Sequence, residues 1–212
     1  MISIEEIKEN YEKFSDSKIE NIALSESKEL RKEVLSILKD EILKRKLDPD
    51  LITWFEAETN TLTDFEKQSI KTKIENLKCP NCGLNHNRLL GQEFNSIVSF
   101  IIILNNSTRD RILCYNCGRN KKLISFLKTG LTGWWSARGF FLTPYTLLKE
   151  MVNVFYQKKI SDRILDSFIE RHNGILRLKG TEKDELMNLV MWHNNDYYVS
   201  EEEEKEENQK EK

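Results

Sequence analysis

Apolar residues recur at helical spacing through the first third of the chain. Ser3 and Glu6 have the spacing of a capping box, in which a hydroxyl accepts from the backbone amide three residues on, and Ile4, Ile7, Tyr11 and Phe14 follow along one face. A second short helix is expected around residues 18–24. From Ser27, a stripe of Leu30, Val34, Leu38 and Ile42 runs to about Lys46, where basic side chains suit the negative end of the helix dipole. Asp48-Pro49 stops it. Leu51, Trp54 and Phe55 predict another short helix that buries its aromatics against that stripe. Thr63 and Glu66 repeat the capping-box spacing, and Ile70, Ile74 and Leu77 carry that helix onward.

The pattern changes at Lys78. Ile97–Leu104 is rich in β-branched residues, Asn105-Asn106-Ser107 has turn chemistry, and Arg111–Tyr115 returns, so an antiparallel hairpin is expected with its turn at 105–107. Helical signals resume at Lys121–Lys128. Thr143-Pro144 reads as a helix start with proline in its first position, leading through Leu147, Leu148, Met151, Val152 and Phe155. Ser161 reads as the cap of a helix carrying Ile164, Leu165, Phe168 and Ile169, ended by Asn173-Gly174. Thr181 to Asp184 opens the last helix, with Leu186, Leu189 and Val190. The tail from Glu201 to Lys212 has seven acids, three lysines and no apolar residue, and is expected to be disordered. The fold expected is mostly α with a small β insert. It divides into an acidic helical bundle (1–77), a cysteine-bearing β module (78–122), a C-terminal helical region (123–199) and the tail (200–212).

Charge sharpens this division. The 212 residues sum to −2, but residues 1–77 hold 13 Lys+Arg against 18 Asp+Glu, residues 78–138 hold 9 against 2, and residues 139–212 hold 11 against 15. A basic middle is hidden in a neutral average, and a local positive patch is what attracts phosphate or anionic lipid. MISIEE at the start has neither the basic nor the apolar part of a secretory signal, so a cytoplasmic location is expected. The longest apolar stretch, Ile97–Leu104, is far shorter than the roughly 20 residues a spanning helix needs.

The four cysteines fall as two C-x-x-C-G pairs, Cys79/Cys82 and Cys114/Cys117. Zinc accepts four thiolates tetrahedrally, and each C-x-x-C turn supplies two sulfurs from one tight loop. Gly83 and Gly118 behind the pairs suit loops whose amides turn toward the sulfurs through a positive φ. A redox centre would need only one pair, usually at a helix start in a βαβ setting. A disulfide framework conflicts with the missing signal peptide. An iron–sulfur cluster also takes four thiolates, but paired loops favour a mononuclear site. One structural zinc ion is therefore expected on Cys79, Cys82, Cys114 and Cys117. His86 could compete for metal, but with four thiolates present it is expected to support the ligands from outside or to lie at the surface; His172 and His193, near helix ends, are expected to be surface or dipole-compensating residues. A closed four-thiolate site leaves no position for water, and no Ser/His/Asp order, glycine-rich phosphate loop or His-Glu zinc motif stands elsewhere, so the sequence argues against an enzyme and no small-molecule substrate is expected.

CPNCG and CYNCG placed around a hairpin resemble the zinc-ribbon class. Gly133-Trp134-Trp135 with Gly139 and Thr143-Pro144 is similar to a GWW-x3-G-x3-T-P segment of bacterial zinc-ribbon proteins. That resemblance covers roughly residues 79–155 and implies zinc binding with a recognition or scaffold role.

Around the second pair, Arg109, Arg111, Arg119, Lys121 and Lys122 are expected to form a cationic face, followed by Trp134, Trp135, Phe140, Phe141 and Tyr145. Basic residues interleaved with aromatics suit a nucleic-acid or protein partner. They also suit a membrane interface, with the 123–155 segment as an interfacial anchor and the ribbon as its scaffold. The third alternative is that Trp134 and Trp135 pack the hairpin against the C-terminal helices.

Overall fold

The computed structural model describes residues 3–85, 88–100, 103–132 and 137–195. His86, Trp134, Trp135 and the acidic tail therefore lie outside the described residues. Within them, the helices are α1 (Ile4–Lys13), α2 (Asp16–Asn21), α3 (Lys32–Arg45), α4 (Asp50–Thr59), α5 (Asp64–Glu75), α6 (Tyr115–Thr132), α7 (Ala137–Phe155), α8 (Gln157–Arg171), α9 (Asn173–Lys179) and α10 (183–195). One antiparallel sheet pairs β1 (Leu89–Phe100) with β2 (Ile103–Cys114). None of the described helices is long and apolar enough to cross a membrane. The chain divides into two compact units that do not follow its linear order: residues 1–66 with 169–181, and residues 67–168 with 182–212.

The first unit is a helical bundle. Its core joins Tyr11 of α1, Ile19 of α2, the wide turn at Ile22 and Ala23, Val34, Leu38 and Ile42 of α3, and Leu51 and Phe55 of α4. Ser3 Oγ accepts from the Glu6 amide at 3.1 Å as the capping box requires. The helix expected from Ser27 begins later, at Lys32, because residues 22–29 form a wide turn and then a tight one before it. A residue the pattern did not mark ties α1 to α3. The Arg45 guanidinium donates to the carbonyls of Tyr11, Glu12 and Phe14 at the end of α1, and to Asp16 and the buried Glu41. Asn173 was expected to end a helix. It instead begins α9, where its amide donates to the carbonyls of Ala57, Glu58 and Asn60 and so closes the exposed end of α4. His172, in the turn before it, is buried rather than at the surface, and burial, with Arg171 and Lys28 nearby, pushes its pKa down to about 4.

The second unit is built on the hairpin. Pairing runs from Leu89↔Cys114 to Phe100↔Ile103, so the strands are longer than expected and Asn105-Asn106-Ser107 lies inside β2 instead of at the turn. The ladder thus runs past the residues with turn chemistry, and local turn preference is overridden by strand pairing. Helix α6 begins at Tyr115, not Lys121, and α7 at Ala137, with Pro144 in its interior rather than at its start. Ser161 likewise lies inside α8, not at its cap. It is buried, and its hydroxyl accepts from the Gly91 amide at 3.0 Å, seating α8 on β1. Asn194 of α10 accepts from and donates to the Ile112 backbone at 2.9 and 3.0 Å, extending the ladder from β2. His193, expected at the surface, is buried edge-on against Phe168 at 5.1 Å.

Buried polar residues lie on both faces of β1, Gln92 toward α6 and Glu93 and Asn95 toward α7 and α8. Gln92, Glu93 and Asn95 are buried. Glu93 receives Lys149 of α7 at 2.9 Å, Arg163 of α8, and the Asn95 amide at 3.0 Å. Burial alone would raise the Glu93 carboxyl, but these donors hold it at about 2. Because that value lies below the ordinary carboxylate one, the network's contribution is complete above about pH 4.5 and is lost as pH falls toward 2. We expect Glu93→Gln to lower stability at pH 7 by about 2 kcal/mol, allowing for the partial exposure of Lys149 and Arg163. Chemical denaturation at pH 7 measures this, and an unchanged midpoint would show that the network is not stabilising.

Candidate metal centre

Three pieces of backbone bring the cysteines together. The first pair lies in the loop after α5, where the Gly83 amide donates to the Cys79 carbonyl at 2.8 Å and the Cys79 amide to the Leu84 carbonyl at 3.0 Å. Gly83 closes this loop at φ 71°, where a side chain would be strained, as the sequence suggested. The second pair is not a matching loop. Cys114 is the last residue of β2 and Cys117 lies in the first turn of α6, so strand end and helix start share the sulfurs. The helix N-terminus faces them with the positive end of its dipole, which favours thiolate.

Gly118 consequently has a role different from the one expected. It has helical backbone, and a Cβ there would meet the end of the buried Gln92 side chain at 1.8 Å. Gln92 in turn donates to the Cys114 carbonyl at 3.3 Å. Glycine is therefore required for the close approach of α6 to β1, not for a positive φ.

The four Sγ atoms lie within 4.8 Å of one another. Cys82 and Cys114 sulfurs are 3.9 Å apart, close to the roughly 3.8 Å edge of a tetrahedron with 2.3 Å metal–sulfur bonds and far from the roughly 2.05 Å of a disulfide. All four are free thiols; Cys79 and Cys114 are buried, and Cys82 faces solvent. The Cys114 amide donates to Cys79 Sγ at 3.5 Å and the Asn81 amide to Cys117 Sγ at 3.3 Å, the kind of outer support that orients thiolate ligands. Burial opposes ionisation of Cys79, but the amides of Cys114, Cys82 and Asn81 outweigh it and hold this thiol at about 7. Burial pushes Cys114 up, and it pushes Cys117 up to about 12, where the neighbouring Cys114 adds to the effect. The Cys79 thiolate forms readily while Cys114 and Cys117 resist, as burial and crowding of like charges demand. The cluster can thus coordinate one metal ion.

The five basic residues divide around α6. Arg111 is buried and, with Lys121, lines a cleft of about 220 Å³ beside Pro80, Asn81 and Asn194. Arg119 and Lys122 line a different cavity of about 360 Å³, walled by Leu123 and Phe126 of α6 and Met151 and Val154 of α7. Arg119 is exposed and lies 5.9 Å from the Tyr115 ring; Arg109 is half-buried. Positions 119 and 121 are about 200° apart on a helix, which is why neighbours in sequence part company. Gln92, Glu93 and Asn95 were not singled out from the sequence. Their only signal was polarity inside a strand pattern.

No family model, curated protein or solved structure matches this chain, so the thiol cluster itself is what stands behind the zinc-ribbon resemblance.

Two measurements follow. Because Cys114 and Cys117 hold their protons above pH 7 and Cys79 is about half ionised there, metal binding at neutral pH should release two to four protons, about three. Calorimetry in buffers of different ionisation enthalpy counts them, and release of fewer than two would contradict four-thiolate ligation. Gly118→Ala should destabilise by about 1–3 kcal/mol by displacing Gln92. Gln92→Ala should remove much of that penalty in the double variant; strictly additive effects would mean the two residues are not in conflict.

Proposed function

We propose that this chain is a non-enzymatic binding module in which one zinc ion, held by Cys79, Cys82, Cys114 and Cys117, fastens the hairpin to α6 and presents the outer side of α6 and α7 to a partner. The observation that carries this reading is the convergence of loop, strand end and helix start on four sulfurs within 4.8 Å of one another. Four thiolates satisfy tetrahedral zinc and leave no position for a reacting water, so the ion's role is to organise backbone. A protein or nucleic-acid partner gripping Arg109, Arg111, Arg119, Lys121 and Lys122 together would need them on one surface. The burial of Arg111 and the split of the rest between two cavities favour α6 and α7 as the partner surface instead.

Purified protein should contain one zinc per chain. Cys114→Ser should lose it and with it the protease resistance of residues 79–155, while the helical signal of the first unit persists, since metal-binding energy is folding energy. Unchanged circular dichroism and proteolysis in that variant would show that the site is not structural.

A further inference from the structure

Helices α6 and α7 are amphipathic the wrong way round for a water-facing surface. On their inner side, Ser125 donates to the Asn95 carbonyl at 2.7 Å, Lys149 donates to the Asn95 side chain at 3.1 Å, and Thr129, Thr143 and Thr146 are buried. Thr143 Oγ1 and Asn153 Nδ2 are buried without a hydrogen-bond partner. The outer side is apolar. Along α7, Phe141, Tyr145, Leu148, Val152 and Phe155 recur at spacings of four and three and are 44% to 87% exposed. Along α6, Leu123, Ile124, Leu127 and Leu131 do the same at 53% to 73%. Soluble helices turn such stripes inward, and an exposed apolar surface of this continuity marks an interaction site.

Charge identifies what the surface meets. Residues 115–159 carry eight Lys and Arg and a single acid, Glu150. Lys149 is turned inward onto Glu93 and Lys121 lines the other cleft, while Arg119 of α6 and Lys158 and Lys159 at the start of α8 are exposed. Two copies placed face to face would bring like charges together, which opposes self-association. Nucleic acid would satisfy the cations but leave Leu123, Leu127, Leu148 and Val152 without an apolar environment. A bilayer containing anionic lipid satisfies both: the acyl boundary takes the apolar stripes, aromatic rings lie at headgroup depth, and Lys and Arg meet phosphate. As no described helix can cross a membrane, the pair would lie along the interface.

We infer that the α6–α7 face docks on the surface of a membrane bearing anionic phospholipid. This deepens the binding-module reading by naming the partner of the face that the zinc site presents.

The test floats the zinc-loaded full chain with vesicles of phosphatidylcholine, with and without phosphatidylglycerol. The protein should rise with the anionic vesicles and bind neutral ones at least about tenfold more weakly, with binding weakened by salt. Phe141→Ser/Val152→Ser/Phe155→Ser should lower binding to anionic vesicles at least about tenfold, because the removed side chains no longer leave water. These residues are exposed, so zinc content and circular dichroism of the variant should match wild type. Lys158→Glu/Lys159→Glu should lower binding about tenfold on anionic vesicles only. The inference is overturned if zinc-loaded protein stays in the buffer fraction, or if the triple-serine variant binds undiminished. It is also overturned if light scattering finds a wild-type dimer that this variant converts to monomer with no vesicle binding by either. A protein without zinc that still floats would instead leave the inference standing and remove the zinc-module reading.

Discussion

Four thiols within 4.8 Å of one another are an arrangement that can hold one metal ion. Left to themselves, the Cys79 sulfur ionises near neutrality and Cys114 and Cys117 resist, so the cluster carries repulsion or retained protons. A divalent ion with tetrahedral preference converts that repulsion into attraction, and its binding energy then fixes whatever backbone the sulfurs belong to. Here the backbone is the 79–84 loop, the end of β2 and the first turn of α6. The cluster also lies at the open end of the hairpin, where Leu89 is opposite Cys114.

What could be read from the chain was whatever has a short repeat or a short spacing. The two capping boxes, the stripe through Val34, Leu38 and Ile42, and the four cysteines all fall in this class, because the physics joining their members is local. The hairpin turn at Asn105-Asn106-Ser107, the helix starts at Lys121 and Pro144 and the Ser161 cap were misplaced for the opposite reason. Ser161 has the right chemistry for a cap, but the Gly91 amide of β1 claims its hydroxyl from a distant part of the sequence. Gly118 followed a valid argument about glycine, yet the reason for it here is the buried Gln92 side chain on the facing strand. His172 and His193 carry no local mark that distinguishes a buried imidazole from an exposed one.

Within the second unit, the interior between hairpin and helices is held by directional bonds more than by apolar contact. Glu93 and Asn95 of β1 collect Lys149, Arg163, Ser125 and Thr108, and α6 and α7 turn threonines toward that strand. The apolar burial that remains comes from elsewhere: Leu89 and Ile112 of the hairpin, Ile164, Leu165 and Phe168 of α8, and Leu186 and Val190 of α10. Among the described residues of α6 and α7, the buried side chains are threonines, and the apolar stripes face outward. Polar networks of this kind specify geometry strongly but add modest net energy, since each bond replaces one to water. The two features require each other. A helix pair whose apolar side faces outward has to be held from behind by other means, and the cysteine cluster at the start of α6, which can take one metal ion, and the Glu93 network at its back are placed to do so. The cysteine cluster and the exposed helix face meet at α6: Cys117 lies in the helix's first turn, and Leu123, Ile124, Leu127 and Leu131 expose an apolar stripe further along it.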